Sequence, residues 1–205
     1  THPEVDYFVA ADDIPGEDAG AGYLDEAMFV SSCFYKYFSI NWEQLVKNLN
    51  GNKELAVHTV GAFLRGAATC NPSGKQNSFA AHNPPDGILV ELRNSPVSYA
   101  NAFAEPVSKQ SGRSIVEQSI VQLAQYASDL KNGYGNPASS FWFSPNLRYK
   151  FGDSDSNNDV IACKTLDELN ESMINALSDK LALNISWEQA KKAILNEINS
   201  LKSTV

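Results

Sequence analysis

A chain of 205 residues suffices for one domain, or one domain with an appendage, around a sizeable core. Its 43% hydrophobic and 20% charged residues are the ordinary balance of a globular protein, and no apolar run approaches the ~20 residues a bilayer span needs, so no membrane partner is expected. The net charge of −8 argues against a uniformly basic nucleic-acid surface, but the excess is local: eight acids and no Lys or Arg precede Lys36, and the charges from Lys36 onward cancel.

The first stretch with a clear pattern, Val5–Ile40, reads as a protruding β-hairpin. Two runs rich in aromatic and β-branched residues, Val5–Ala11 and Met28–Ile40, flank a middle loaded with Gly, Pro, Asp and Glu. Side chains alternate along a strand, so Tyr7 and Val9 share one face of the first arm while Phe8 and Ala10 share the other. In the second arm Phe29, Tyr35 and Tyr37 have one parity, and Phe34 and Phe38 the other. A hairpin apolar on both faces is expected to rest one face on its own domain and offer the other to a partner. The same pattern also fits two core strands buried on both faces.

Asn41-Trp42-Glu43-Gln44 has capping-box spacing and starts a short helix with Trp42, Leu45, Val46 and Leu49 as its stripe, ending near Asn50-Gly51. A second helix over residues 53–70 carries Val57, Val60, Leu64 and Ala67. His58 beside that stripe has no chelating residue three or four positions away, so it reads as a packing residue. Gly74-Lys75 imitates a phosphate loop but fails twice, with Gln76 in place of Ser/Thr and Thr69 where the first Gly belongs. What remains is a strand opening on Lys75, Gln76 and Asn77, able to contact phosphate or ribose from a sheet edge. His82 there reads either as a sheet-edge or core histidine or as an RNA contact. Gly87–Leu92 and Ser98–Phe103 also read as strands.

Ser114 caps a helix with Val116, Ile120, Leu123, Ala127 and Leu130 on one face and Gly133 just past its end. Phe141-Trp142-Phe143 reads as a short buried strand or aromatic turn, or alternatively as a base-stacking platform. Asp153–Asp159 begins like a calcium loop but has Asn158 and Lys164 where Gly and Glu are required, leaving a solvated loop. Thr165 and Ser186 cap two final helices, with stripes Leu166, Leu169, Met173, Leu177, Leu181 and Trp187, Ala190, Ile194, Ile198, Leu201, expected to cover a sheet as an α-hairpin. Cys33, Cys70 and Cys163 form neither a zinc spacing nor a disulfide framework, so free thiols in a reducing cytoplasm are expected.

Several of these segments resemble the CasC family, the CRISPR-RNA-binding backbone subunit of type I-E Cascade. They are Asp6-Tyr7-Phe8, the Asp12-Asp13 pair, the Gly-rich tip, Phe29 through Tyr37, Lys75-Gln76 with Phe79, Ala80-Ala81 and Asn83-Pro84, and Ser98 through Phe103. The resemblance implies an α+β fold, with an RNA-recognition-motif-like (ferredoxin-like) palm incomplete at its N-terminus. A β-hairpin thumb would occupy residues 1–40, and the second part of the palm with C-terminal helices residues 41–205. It further implies that the chain, opening at Thr1, is the C-terminal part of a longer polypeptide. The implied protein is non-catalytic, needs no cofactor or metal, polymerises along CRISPR RNA with copies of itself and other Cascade subunits, and meets target DNA through the guide. Tyr7 and Phe8, with Val9 beside them, would be the base-contacting wedge, and Lys75, supported by Gln76, would contact the RNA backbone. Aromatic faces suit a guide of arbitrary sequence because stacking does not read base identity, sequence being read by pairing.

Two other functions fit the residues. A metal-dependent ribonuclease would use Asp12, Asp13, Glu17 and Asp18, although Pro15, Gly16, Gly20 and Gly22 place them on a flexible tip where a two-metal site needs rigidity. A purely structural oligomerisation module would equally suit an acidic tip on an apolar ribbon.

Overall fold

Two strands, β1 (Pro3–Ala11) and β2 (Ala21–Val30), pair antiparallel as a two-stranded ribbon. The computed structural model describes residues 3–11, 21–30, 32–74, 76, 80–108, 112–135, 137, 139–152, 159–183, 185, 188, 189, 191, 192 and 196, and of residues 3, 4, 9–11 and 21–23 the backbone alone. Pairing runs from Pro3 opposite Val30 to Ala11 opposite Ala21, with an irregularity between Val9 and Ala11. The expected second arm, Met28–Ile40, is therefore corrected to Ala21–Val30. Closing the loop directly after Ala11 uses up β1 by Val30, and Pro3 has no N–H with which to extend the ladder. Residues 32–41 consequently carry no helix or strand, and Phe34 and Phe38 in that run are exposed.

The chain divides into two compact units. One comprises Thr1–Tyr35 and Ser73–His82, and the other Lys36–Pro72 and Asn83–Val205. In the first, Gln76 is helical, and the backbone N–H of Ala80, a residue with φ +47°, donates to the Gln76 carbonyl at 2.8 Å. The strand expected to open on Lys75, Gln76 and Asn77 is corrected where the structure describes it: Gln76 is helical and residues 80–85 carry no strand, while Lys75, Asn77, Ser78 and Phe79 lie outside the described residues.

In the second unit, α1 (Trp42–Asn48) starts at Asn41, whose Oδ1 accepts the Gln44 N–H at 2.9 Å. Asn50 and Gly51 turn the chain through positive φ, and Asn52 Oδ1 accepts the Leu55 N–H at 3.0 Å to cap α2 (Lys53–Thr69). A three-stranded sheet follows in the order β3 (Ile88–Leu92), β4 (Ser139–Phe143), β5 (Val160–Cys163). Here β3 and β4 run antiparallel, while β4 and β5 run parallel. Alternation sends Phe141 to one side, where it joins Val57 of α2, Cys163, and Leu169, Met173, Ile174 and Leu177 of α4 (Leu166–Lys180) in the core. Thr165 caps α4 by accepting the Glu168 N–H at 3.0 Å.

Trp142 occupies the opposite side of β4. Its ring lies against Phe151, with centroids 4.9 Å apart, and covers Gly87, where an added Cβ would overlap the indole. On the same side Glu91 accepts hydrogen bonds from Arg93 Nε at 2.7 Å and the Tyr99 hydroxyl at 2.8 Å. Burial, and then the bond to Glu91, hold the Tyr99 hydroxyl well above its ordinary pKa, so it remains a neutral donor.

Tyr99 leads into a 3-10 turn, Ala100–Phe103, in place of the strand expected over Ser98–Phe103. The Ser98 hydroxyl accepts the Ala100 N–H at 3.3 Å, and that local bond bends the chain away from an extended course. Gln122 of α3 (Ile115–Tyr134) donates to the Ala102 carbonyl at 2.5 Å. The α3 helix runs through Gly133 and stops at Gly135, whose φ of +95° suits glycine. Its buried face is Ser119, Ile120, Ala124 and Ala127. Val116, Leu123 and Leu130 are only half-buried.

Helices and strands are thus segregated into an α+β arrangement. Among the last-helix residues, 188, 189, 191, 192 and 196 are helical, while Ser186, Trp187, Ala190, Ile194, Ile198 and Leu201 lie outside the described residues.

Candidate nucleic-acid interface

The ribbon's register decides which side chains share a face. Residues opposite one another in an antiparallel pair project to the same side. Val5 pairs with Met28, Tyr7 with Glu26, Val9 with Leu24, and Pro3 with Val30. The intervening pairs, Glu4 with Phe29, Asp6 with Ala27 and Phe8 with Asp25, fall on the other side.

Exposure differs sharply between the two sides. On the first, Tyr7 is 64% exposed, Leu24 68% and Met28 65%, with Val5 and Val30 also open. On the second, Asp6, Ala27 and Phe29 are half-buried, and Phe8 is less open than Tyr7. The ribbon therefore offers one broad apolar face to its surroundings, with the carboxylate of Glu26 beside Tyr7. Apolar faces of this extent on an isolated ribbon mark a binding surface.

Of the anticipated site residues, Tyr7 and Phe8 lie on opposite sides of β1, and Tyr7 belongs to the open face. Val9 shares the register of that face through Leu24, its side chain lying outside what is described. Lys75 also lies outside the described residues. Gln76, helical and half-buried, belongs to the ribbon's unit. His82 is exposed, so the core-histidine reading does not hold for it.

Phe141 and Trp142 are buried, which removes the base-stacking platform: a base cannot stack on a ring already covered on both faces. Asp12, Asp13, Glu17 and Asp18 lie outside the described residues, as do residues 153–158 of the calcium-like loop. Asp159 of that loop is ion-paired with Lys131. Cys33, Cys70 and Cys163 are free thiols, the first two exposed and the third buried.

Leu24 falls before the second arm as read from the sequence, Met28–Ile40, while Met28 and Val30 fall inside it but were assigned to no face. The signal was present as the alternation Leu24, Glu26, Met28, Val30 immediately after Gly22.

Fold and site together define an α+β protein that carries a β-ribbon with one exposed apolar face and no Lys or Arg in either of its strands. Residues 1–172 match the model of the CT1975-like protein family (Cas_CT1975), and the chain belongs to that family. No curated protein matches it. Among solved structures it is similar to a chain of a CRISPR RNA-guided surveillance complex at 30% identity and a TM-score of 0.67, over 86% of this chain and 65% of that one. It is also similar to a chain of such a complex in a pre-nicking state at 27% identity and a TM-score of 0.66, over 85% of this chain and 46% of that one. The chain thus spans about half to two thirds of the length of these relatives.

Proposed function

We propose that the protein is a non-catalytic backbone subunit of a type I-E CRISPR RNA-guided surveillance complex (Cascade) in the cytoplasm. In this reading it lines up with further copies of itself along CRISPR RNA and with other subunits of the complex, and target DNA reaches it through pairing with the guide. Its three-stranded sheet forms part of a palm of RNA-recognition-motif type, and the ribbon is a thumb that wedges against the RNA bases and kinks the strand.

Family membership and similarity to surveillance-complex chains support the setting. One observation carries the role: the open apolar face bearing Tyr7, Leu24 and Met28. Stacking and apolar contact hold a base without reading it, at about 1–3 kcal/mol per base. A subunit that must accept any guide needs this property.

Replacing Tyr7 and Phe8 together by Ala tests the reading. Guide-RNA assembly should weaken about tenfold or more, from the loss of one stacked base, while the helical circular dichroism stays unchanged. Unchanged RNA affinity removes the wedge. A second measurement addresses catalysis: RNA incubated with the pure protein and Mg²⁺ should remain intact, and cleavage lost in Asp12→Asn with Asp13→Asn would establish a ribonuclease instead.

A further inference from the structure

The open face of the ribbon carries one charge among its described side chains. Val5, Tyr7, Leu24, Met28 and Val30 are its aliphatic and aromatic members, and Glu26, directly opposite Tyr7 in the ladder, adds a carboxylate. Partners in an antiparallel pair stand about 4.5–5.5 Å apart at Cβ, so the carboxylate is within reach of whatever lies on the Tyr7 ring. Both side chains are exposed.

The acid next to it is already engaged. Asp25, on the other side of β2, accepts the Glu26 N–H through Oδ1 at 2.8 Å, which ties its side chain to the strand. The Glu26 carboxylate makes no hydrogen bond or ion pair among the described residues.

A carboxylate only accepts hydrogen bonds, so its position restricts which part of a nucleic acid can lie beside it. Phosphate is repelled. Base edges carry donors at places that differ from base to base, and a subunit that must hold a guide of arbitrary sequence gains no constant contact from them. The ribose 2′-hydroxyl is a donor at the same place on every ribonucleotide, and DNA lacks it.

Resting on the function proposed above, we infer that Glu26 accepts a hydrogen bond from the 2′-hydroxyl of the nucleotide whose base lies on Tyr7, so that the ribbon's open face selects RNA over DNA. Tyr7 then supplies attachment without regard to base or sugar, and Glu26 supplies the sugar requirement. The same carboxylate turns the phosphates of the bound strand away from the face. A protein covering these apolar side chains would have to bring its own donor or cation to Glu26, since a carboxylate buried without one is costly. Every ribonucleotide brings the donor with it.

The test is binding of the full chain to three single strands of one arbitrary sequence: RNA, DNA with uracil in place of thymine, and 2′-fluoro RNA, which keeps the ribose pucker and lacks the donor. The parent should bind RNA about tenfold more tightly than either of the others, the worth of one charge-assisted hydrogen bond. Glu26→Ala should abolish that difference, and Glu26→Gln, which keeps a neutral acceptor, should retain part of it. Tyr7→Ala should weaken binding of all three strands. Circular dichroism should match the parent for each variant, because both side chains are exposed. A preference for RNA that persists in Glu26→Ala, or a parent without any preference, overturns the inference; if Tyr7→Ala still weakens binding, the ribbon reading stands without it. A parent that binds none of the strands overturns both. So does a Tyr7→Ala variant that binds RNA as the parent does but no longer self-associates, which would identify the face as a protein-docking surface.

Discussion

The ribbon and the three-stranded sheet are both rich in aromatic and aliphatic residues, and they use them in opposite ways. On β4, Phe141 is sealed at 1% exposure between flanking strands and the α4 helix. On β1, Tyr7 stands open beside a single partner strand. Residue type does not separate the two. The number of neighbouring strands and the presence of a covering helix do, because an apolar side chain is withdrawn from water only when both flanks and the face above it are occupied.

The comparison is sharpest in stability. Leu169 is fully buried in the core beneath the sheet, and Leu169→Ala should cost about 2–5 kcal/mol in urea denaturation. Met28→Ala on the ribbon removes a side chain of similar size from an open face and should change the same measurement by no more than about 0.5 kcal/mol. Equal losses would show that the ribbon's open face is in fact a core face.

A second prediction concerns Gly87. Its lack of a Cβ lets the Trp142 indole lie directly over the chain entering β3, so Gly87→Ala must push the ring off its bond to the Tyr149 carbonyl. Overpacking of this kind costs about 1–3 kcal/mol. Near-UV circular dichroism and denaturation should both register it. An addition of one methyl group on the ribbon, such as Ala27→Val, should register in neither beyond about 0.5 kcal/mol.

What was legible in the sequence follows the same division. Caps at Asn41, Ser114 and Thr165 could be read because a cap is a bond to a residue three positions on, and the residues that make it are adjacent in the chain. The aromatic alternation of β1 was legible for the same reason. Strand β2 was misplaced because its bounds depend on where the loop closes, a property of the pair and not of either arm. The 3-10 turn at Ala100–Phe103 was read as a strand because its bend rests on Ser98 and on Tyr99 reaching back to Glu91. That Ser73–His82 groups with the ribbon was invisible, since some forty residues separate them.

The smallest expected effect lies at Asp167, which joins α2 to α4 and to the helical residues beyond. Its carboxylate accepts a bond from Arg65 Nη1 at 2.5 Å and lies 3.5 Å from Lys191 Nζ. The hydrogen bond from Arg65 outweighs partial burial and, with the attraction of both cations, holds the carboxyl below the usual carboxylate range. A folded-state pKa below the unfolded one means that the pair contributes stability above the ordinary carboxylate pKa. That contribution is lost as pH falls through the folded value. Both partners are close to half exposed, so water and salt reduce it to a few tenths of a kcal/mol. Asp167→Asn should therefore be slightly less stable than the parent at pH 7, converge with it once pH falls below the folded pKa, and differ from it less as salt is raised. A difference that grew toward acid pH would place the source of the effect in packing at the start of α4 instead of in the ion pair.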